Sequence, residues 1–281
     1  LKTEKTFDVV NYPVKSFNEV ELGLELEYDF NFLCVAQWGP RKNIEQTILC
    51  FLEEFKDEEV GLVLKLNRSN NSLGDRTFVE SNLRDLLAEY PDRKCKIYLL
   101  HGYMKSDEIH SLYVHPKIKV LLSLAHGEGY GLPIFEAAYC GLPVISHDWG
   151  GQTDFLYMDE KSKKGKIKKR AYCTRVEYDL RPVQPAAVWD GVLQADSMWA
   201  YPREVSVKQK IREVYKQHSI HKGRAKKLQK HILKNFTSEK IANDYIEAIV
   251  NEDLSLAPEA EFVFVSDAFE QQFAGGAEKS L

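Results

Sequence analysis

The stretch from Leu121 to Asp154, LLSLAHGEGYGLPIFEAAYCGLPVISHDWGGQTD, constrains the fold more than any other part of the chain. An apolar run precedes a Gly-Tyr-Gly turn. A segment with helical spacing and a proline near its start follows, and a second apolar run begins after Gly141. The order is strand, glycine turn, helix, strand. It puts backbone N–H groups and a helix N-terminus at the carboxyl end of a buried strand, where open α/β sheets hold phosphorylated ligands.

The same alternation extends over residues 31–249. Asn31 to Ala36, Gly61 to Leu66, Cys95 to Leu100, Ile118 to Leu124 and Pro143 to Ser146 are short apolar runs that predict strands. Between them, Lys42 to Phe55, Thr77 to Tyr90 and Ser106 to Val114 carry apolar residues at helical spacing, with Pro91 beyond the end of the second. Repeated strand–helix order predicts an α/β, Rossmann-like parallel sheet with helices on both faces. Past Asp154 the rhythm breaks. Lys161 to Arg170 is a charged stretch expected to be a solvated loop, because no aromatic residue interleaves its lysines; contact with an anionic lipid or nucleic acid is the alternative. Tyr172 to Leu180 reads as extended, Glu204 to Ile249 as two or three amphipathic helices, and Trp189 and Trp199 as packing residues.

A chain of 281 residues can hold one large or two ordinary domains. Its net charge of −4 offers no basic field, so bulk nucleic-acid binding is not expected. Five widely spaced cysteines without a C-x-x-C pair read as reduced core thiols of a cytoplasmic protein, and no structural metal site is expected. No apolar run approaches the ~20 residues of a membrane-spanning helix, and the first residues have no signal-peptide core. Residues 1–30 contain no complete βαβ unit, and Pro13 argues against a central strand there. Beyond Ala257-Pro258 a new strand is expected at Phe262 to Val265, followed by a glycine turn, as at the start of another α/β domain.

The paired glutamates Glu128 and Glu136 around GYGLP, with Pro40-Arg41-Lys42-Asn43 after the first strand, resemble the retaining GT-B glycosyltransferases of group 1. Gly150-Gly151, Trp199-Ala200-Tyr201-Pro202 and Asn235-Phe236-Thr237 also look like family segments. The resemblance covers most of residues 31–250 and matches the family's C-terminal, donor-binding half. It implies an interdomain linker at 1–30, a nucleotide-sugar-binding domain at 31–256, and at 257–281 the truncated start of a following transferase. The partners it implies are a nucleotide-sugar donor and an N-terminal acceptor domain of the same polypeptide, with the tail as a possible route to self-association. No cofactor or metal is expected beyond the donor itself, and the piece is expected to be inactive alone.

The resemblance also implies roles. Arg41 and Lys42 would place cations on the donor diphosphate, beside backbone N–H groups of Gly129, Tyr130, Gly131 and Leu132. Glu128 would meet donor-sugar hydroxyls, and Glu136 the vicinal hydroxyls of a ribose. Two positions depart from the family pattern: Gln37 follows the first strand where an arginine is common, and Asp154 stands near the usual glutamate after the glycine pair. His101 and His126 follow strands and could approach the cleft or serve as hydrogen-bonded structural histidines, and Lys65 could equally face the donor or snorkel. Other classes stay open. Two carboxylates suit a glycosidase. Gly127, Gly129 and Gly131 with Asp148 about twenty residues on suit a dinucleotide-binding oxidoreductase, although Leu132 or Ile134 replaces the third glycine. A non-catalytic nucleotide-binding module is the third class.

Overall fold

The computed structural model of the chain describes residues 8–161 and 165–250. The strand expected at Phe262 to Val265 and the tail that contains it lie outside the described residues. The chain divides into two compact units. One comprises Leu1–Ser16 with Lys230–Leu281, the other Phe17–Gln229.

The larger unit begins with the expected alternation: β1 (Asn31–Gln37), α1 (Ile44–Phe55), β2 (Gly61–Asn67), α2 (Leu73–Ala88), β3 (Lys96–Leu100), α3 (Ser106–Val114), β4 (Ile118–Leu122), α4 (Leu132–Tyr139) and β5 (Val144–Ser146). After β5 come α5 (Thr153–Leu156), β6 (Tyr157–Lys161), β7 (Ile167–Ala171), β8 (Thr174–Arg175), β9 (Tyr178–Pro182), β10 (Met198–Pro202), α6 (Glu204–Lys216) and α7 (His218–Asn235), whose residues from Lys230 on belong to the smaller unit. The third C-terminal helix, α8 (Ser238–Val250), belongs to the smaller unit, where Val14 N–H donates to Phe236 O at 2.8 Å.

Six strands form one parallel sheet in the order β3-β2-β1-β4-β5-β8. The chain builds outward from β1 through β2 to β3, then returns to β1's other side for β4. The switch in direction therefore falls between β1 and β4, and the loops leaving their carboxyl ends border the crevice where such sheets bind ligands. β1 and β2 lie centrally, and their continuous apolar runs follow from burial on both faces. Phe32, Leu62, Leu64, Ile48, Phe51, Leu52 and Phe55 are fully buried, each worth about 1.5–3 kcal/mol relative to exposure. Val207, Ile211 and Val214 of α6 join the same core. Arg212 of that helix donates to Glu54 (2.5 Å) and Glu58 (2.8 Å) and so ties α6 to α1.

Several sequence expectations need correction. Pro40–Lys42 is a short 3-10 turn separated from α1 by Asn43 in the left-handed region (φ 53°), not the start of one helix from Lys42. α2 starts earlier than Thr77, because Ser72 caps it by accepting from Asp75 N–H at 3.2 Å. The charged stretch expected to be a loop contains β7, which pairs antiparallel with β6 in a separate two-stranded ribbon. The extended segment from Tyr172 splits into β8, in the main sheet, and β9, which pairs antiparallel with β10. Trp199 is buried as expected, but Trp189 is 66% exposed.

All five cysteines are free. Cys34, Cys50, Cys95 and Cys173 are buried, and burial pushes the Cys34, Cys50, Cys140 and Cys173 thiols up to about 12. They are inert at neutral pH.

Candidate functional site

Two loops meet at the switch point. The turn Pro40–Lys42 leaves β1, and residues 123–131 leave β4. Their backbones are tied where His126 N–H donates to Arg41 O at 2.7 Å. Their side chains form an ion triad: Lys42 Nζ lies 2.6 Å from Glu128 Oε1, and Arg41 Nη1 lies 3.1 Å from Oε2. The same Arg41 nitrogen donates to Gly127 O at 2.7 Å. Glu128 and Lys42 are mostly buried, while Arg41 is more open. Burial lowers the Lys42 pKa from its usual 10.5, and Glu128 opposes that shift by favouring the ammonium. The site therefore concentrates two cations on one carboxylate and keeps one net positive charge.

The glycine turn then delivers a helix end. Gly131 adopts φ +86° as the residue preceding α4, a conformation that favours glycine. Pro133 occupies the first turn, where its missing N–H costs little. Ile134 and Phe135 N–H both donate to Gly131 O at 2.9 Å, so the amides of Gly131 and Leu132 precede the first bonded turn. A Cβ on Gly129 would point into open space, which leaves the backbone approachable from that side. Tyr130 does something different with its side chain. Its ring packs on Phe135 (5.4 Å) and Phe155 (5.1 Å) and anchors the turn in an aromatic cluster.

A third loop, residues 147–152, braces this turn. Gly151 N–H donates to Glu128 O at 3.1 Å, and a Cβ on Gly151 would sit 1.8 Å from Gly129 O. Gly150 lies at φ +115°, and its Cβ would meet Glu128 O at 2.7 Å. Only glycines let the two backbones approach this closely. Buried His147 fixes the brace from behind. Its Nε2 donates to Ala125 O, and its Nδ1 accepts from Trp149 N–H at 3.2 Å. Fully buried Gln152 donates to Trp149 O at 3.0 Å. Burial lowers the His147 pKa, with its bond to Ala125 and nearby Glu128 and Asp148 opposing, so the ring is neutral.

Glu136 lies on α4 one turn beyond Leu132. Its Oε2 accepts from the hydroxyl of buried Tyr113 on α3 at 3.1 Å. Burial, reinforced by Glu136, raises the Tyr113 pKa well above 10, which keeps the phenol a donor. Asp154 is exposed on the short α5, and its N–H donates to Gly151 O at 3.1 Å.

Thus Arg41, Lys42 and Glu128 come together directly. Gly129 to Leu132 adjoin them, Glu136 follows along α4, and Asp154 stands on α5, just past the bracing loop. Sequence reasoning missed Tyr113 and the His147–Gln152 brace. Tyr113 carries no motif, and its link to Glu136 spans 23 positions. His147 directly follows β5, a position that could have signalled it.

His101, His126 and Lys65 each make hydrogen bonds within the fold. His101 Nε2 lies 2.7 Å from Asp75, which also accepts from Arg68, Ser69 and Asn70 N–H. Desolvation would raise the Asp75 pKa, but these bonds hold it well below the carboxylate range. His126 donates to Ala200 O at 2.9 Å and stacks on Trp199, and Lys65 donates to Gly102 O.

Residues 94–167 match the family described as Glycosyl transferases group 1. The chain is 33% identical over 122 residues to a serotype-specific mannosyltransferase, WbdA, of Escherichia coli; the match covers 42% of this chain and 13% of that protein. A second WbdA from Escherichia coli matches at 31% over 121 residues, again covering 13% of its length. Among solved structures, a sucrose-phosphate synthase from Thermosynechococcus elongatus superposes with a TM-score of 0.54 at 18% identity, covering 83% of this chain and 49% of that one. A glycosyltransferase from Rickettsia africae gives 0.52 at 13% identity over 84% and 50% of the two chains. HepE from Anabaena, in complex with UDP and glucose, gives 0.51 at 14% identity over 79% and 48%. The chain spans about half the length of these solved chains, and they share its fold.

Proposed function

We infer, from a chain that carries a glycosyl transferases group 1 domain on a Rossmann-like sheet, that it is the donor-binding half of a retaining GT-B glycosyltransferase. The single observation that carries this reading is the meeting of Arg41, Lys42 and Glu128 with a glycine-led helix N-terminus at the β1–β4 switch point.

A nucleotide-sugar leaves a diphosphate when its anomeric C–O bond breaks, and the accumulating negative charge must be met. Lys42 and Arg41 would supply cationic donors, and the amides of Gly131 and Leu132 would add partial positive charge from the helix end. Glu128, already oriented by both cations, would hold them in place and accept from donor-sugar hydroxyls. Glu136, with one oxygen held by Tyr113, would accept from ribose hydroxyls. Asp154 would contact the donor from the start of α5. Retention implies that the acceptor hydroxyl attacks on the face the diphosphate leaves, with its proton passing to the departing phosphate oxygen. The acceptor would be held by an N-terminal domain of the same polypeptide, and the segment described here would be inactive alone. The domain limits 1–30 and 31–256 and a cytoplasmic setting belong to the same proposal.

The names of the curated relatives favour a mannosyl donor. Thermal unfolding of the chain against GDP-mannose, UDP-glucose, other nucleotide-sugars and NAD tests the reading. Saturation at a hundred times the Kd stabilises by about 2.7 kcal/mol. One nucleotide-sugar should raise the midpoint, and Lys42→Ala should abolish the rise; a rise with NAD alone would favour an oxidoreductase instead.

A further inference from the structure

We propose that the β6–β7 ribbon docks this chain on an anionic lipid headgroup surface. The proposal is independent of the donor site.

In a chain of net charge −4, seven of the ten residues 161–170 are lysine or arginine and none is acidic. The structure places Lys161, Lys168, Lys169 and Arg170 on a two-stranded antiparallel ribbon outside the main sheet, with Lys166 just before β7. Lys161, Lys166, Lys168, Lys169 and Arg170 are all exposed. An isolated two-stranded ribbon is marginal in water, and a run of like charges along one strand weakens it further. The acidic residues that offset this sit opposite: Asp159 faces Lys169, Glu160 faces Lys168, and Glu160 also pairs with Arg170 at 3.0 Å. Two carboxylates against Lys161, Lys168, Lys169 and Arg170 leave a local excess of positive charge on the paired strands.

Ile167 makes the ribbon more than a solvated charge cluster. It is 66% exposed and lies directly opposite Lys161, on the face that also carries Lys169. An exposed β-branched residue flanked by lysines suits a surface that is anionic at headgroup level and apolar just beneath, with the long lysine stems reaching the phosphates. Nucleic acid fits less well. The tyrosines at the base of the ribbon have their hydroxyls engaged, Tyr157 with Asp148 at 2.5 Å and Tyr172 with Glu160 at 2.7 Å, and no ring interleaves the lysines for bases to stack on.

Cosedimentation with vesicles tests this, using phosphatidylcholine alone or mixed with phosphatidylglycerol, and a single-stranded oligonucleotide as competitor. The unmodified chain should partition onto the anionic vesicles and not the neutral ones. Raising ionic strength from about 0.01 M to 0.15 M should release it, as the screening length shrinks from about 30 Å to about 8 Å. Lys168→Glu and Lys169→Glu should each lower partitioning at least about five-fold. Ile167→Asp should lower it with less dependence on salt. Charge reversal at Lys168 and Lys169 sets like charges opposite Glu160 and Asp159, so the thermal midpoint is measured beside partitioning; Ile167→Asp, which faces Lys161, should leave the midpoint unchanged and separates lost docking from lost folding. Equal partitioning onto both vesicle types, no partitioning, unchanged binding by the charge-reversal variants, or tighter binding of the oligonucleotide than of vesicles would each overturn the proposal.

Discussion

Lys42 and Glu128, 86 positions apart in sequence, are joined at 2.6 Å across the two loops that leave β1 and β4. The contact joins the two loops that border the switch-point crevice and is built from mostly buried charges. Removing one partner therefore strands the other. Glu128→Gln should destabilise the chain by on the order of 2–3 kcal/mol, somewhat under the cost of breaking a fully buried pair. Chemical denaturation measures this, and a loss within experimental error of zero would show the pair to be a surface contact in effect.

Because burial depresses the Lys42 pKa, its charge is lost at a lower pH than the usual lysine value of 10.5. If that charge holds the donor diphosphate, nucleotide-sugar affinity should fall as pH rises through the depressed value. Lys42→Arg, which keeps its charge, should shift the fall to higher pH. Titration calorimetry across the alkaline range with both proteins reads the difference.

The glycine pair is a steric requirement. Gly151→Ala would force a Cβ to 1.8 Å from Gly129 O, so the brace must separate from the glycine turn. The expected cost is about 1–3 kcal/mol of stability, together with loss of nucleotide-sugar binding. Gly165→Ala, at a glycine with φ +79° and open space around its Cβ, should cost stability through backbone strain while leaving binding intact.

Acid should weaken the larger unit before its carboxylates titrate. Burial lowers the pKa of His115, His126, His147, His218 and His221 below the usual 6.5. The unfolded chain then binds more protons than the folded one as pH falls below 6.5, so unfolding free energy declines there and levels off beneath the folded values. His147→Asn should reduce the slope. Midpoints measured from neutral to mildly acid pH check the sign.

Tyr113→Phe removes the hydroxyl that holds Glu136 Oε2 and leaves the aromatic packing of α3 in place. A positioning role predicts weaker nucleotide-sugar binding with a small change in stability, about 0.5–1.5 kcal/mol for one hydrogen bond. Unchanged affinity would mean that Glu136 needs no such support.

Much of this was legible in sequence, for identifiable reasons. Central strands such as β1 and β2 are buried on both faces, so their runs of apolar residues betray them without neighbours. The glycine turn could be read because Gly131 adopts a backbone that favours glycine and Pro133 suits a first helical turn. The β6–β7 ribbon was missed because its pairing is set by cross-strand charge, Asp159 against Lys169 and Glu160 against Lys168, and leaves no apolar alternation. Asn43 was missed as a break before α1 because asparagine enters the left-handed region without a motif to mark it. Tyr113 and His147 were missed because their partners lie on other elements and depend on the folded backbone.

The central claim is that the Arg41–Lys42–Glu128 triad and the turn at Gly131 together hold the diphosphate of a nucleotide-sugar. Backbone amide chemical shifts of the isotope-labelled chain, followed during titration with GDP-mannose and UDP-glucose, test it most directly. The account predicts saturable shifts that are largest at Arg41, Lys42 and Gly129 to Leu132, and lost in Lys42→Ala. Saturable shifts centred elsewhere, or shifts at these amides that persist in Lys42→Ala, would contradict it.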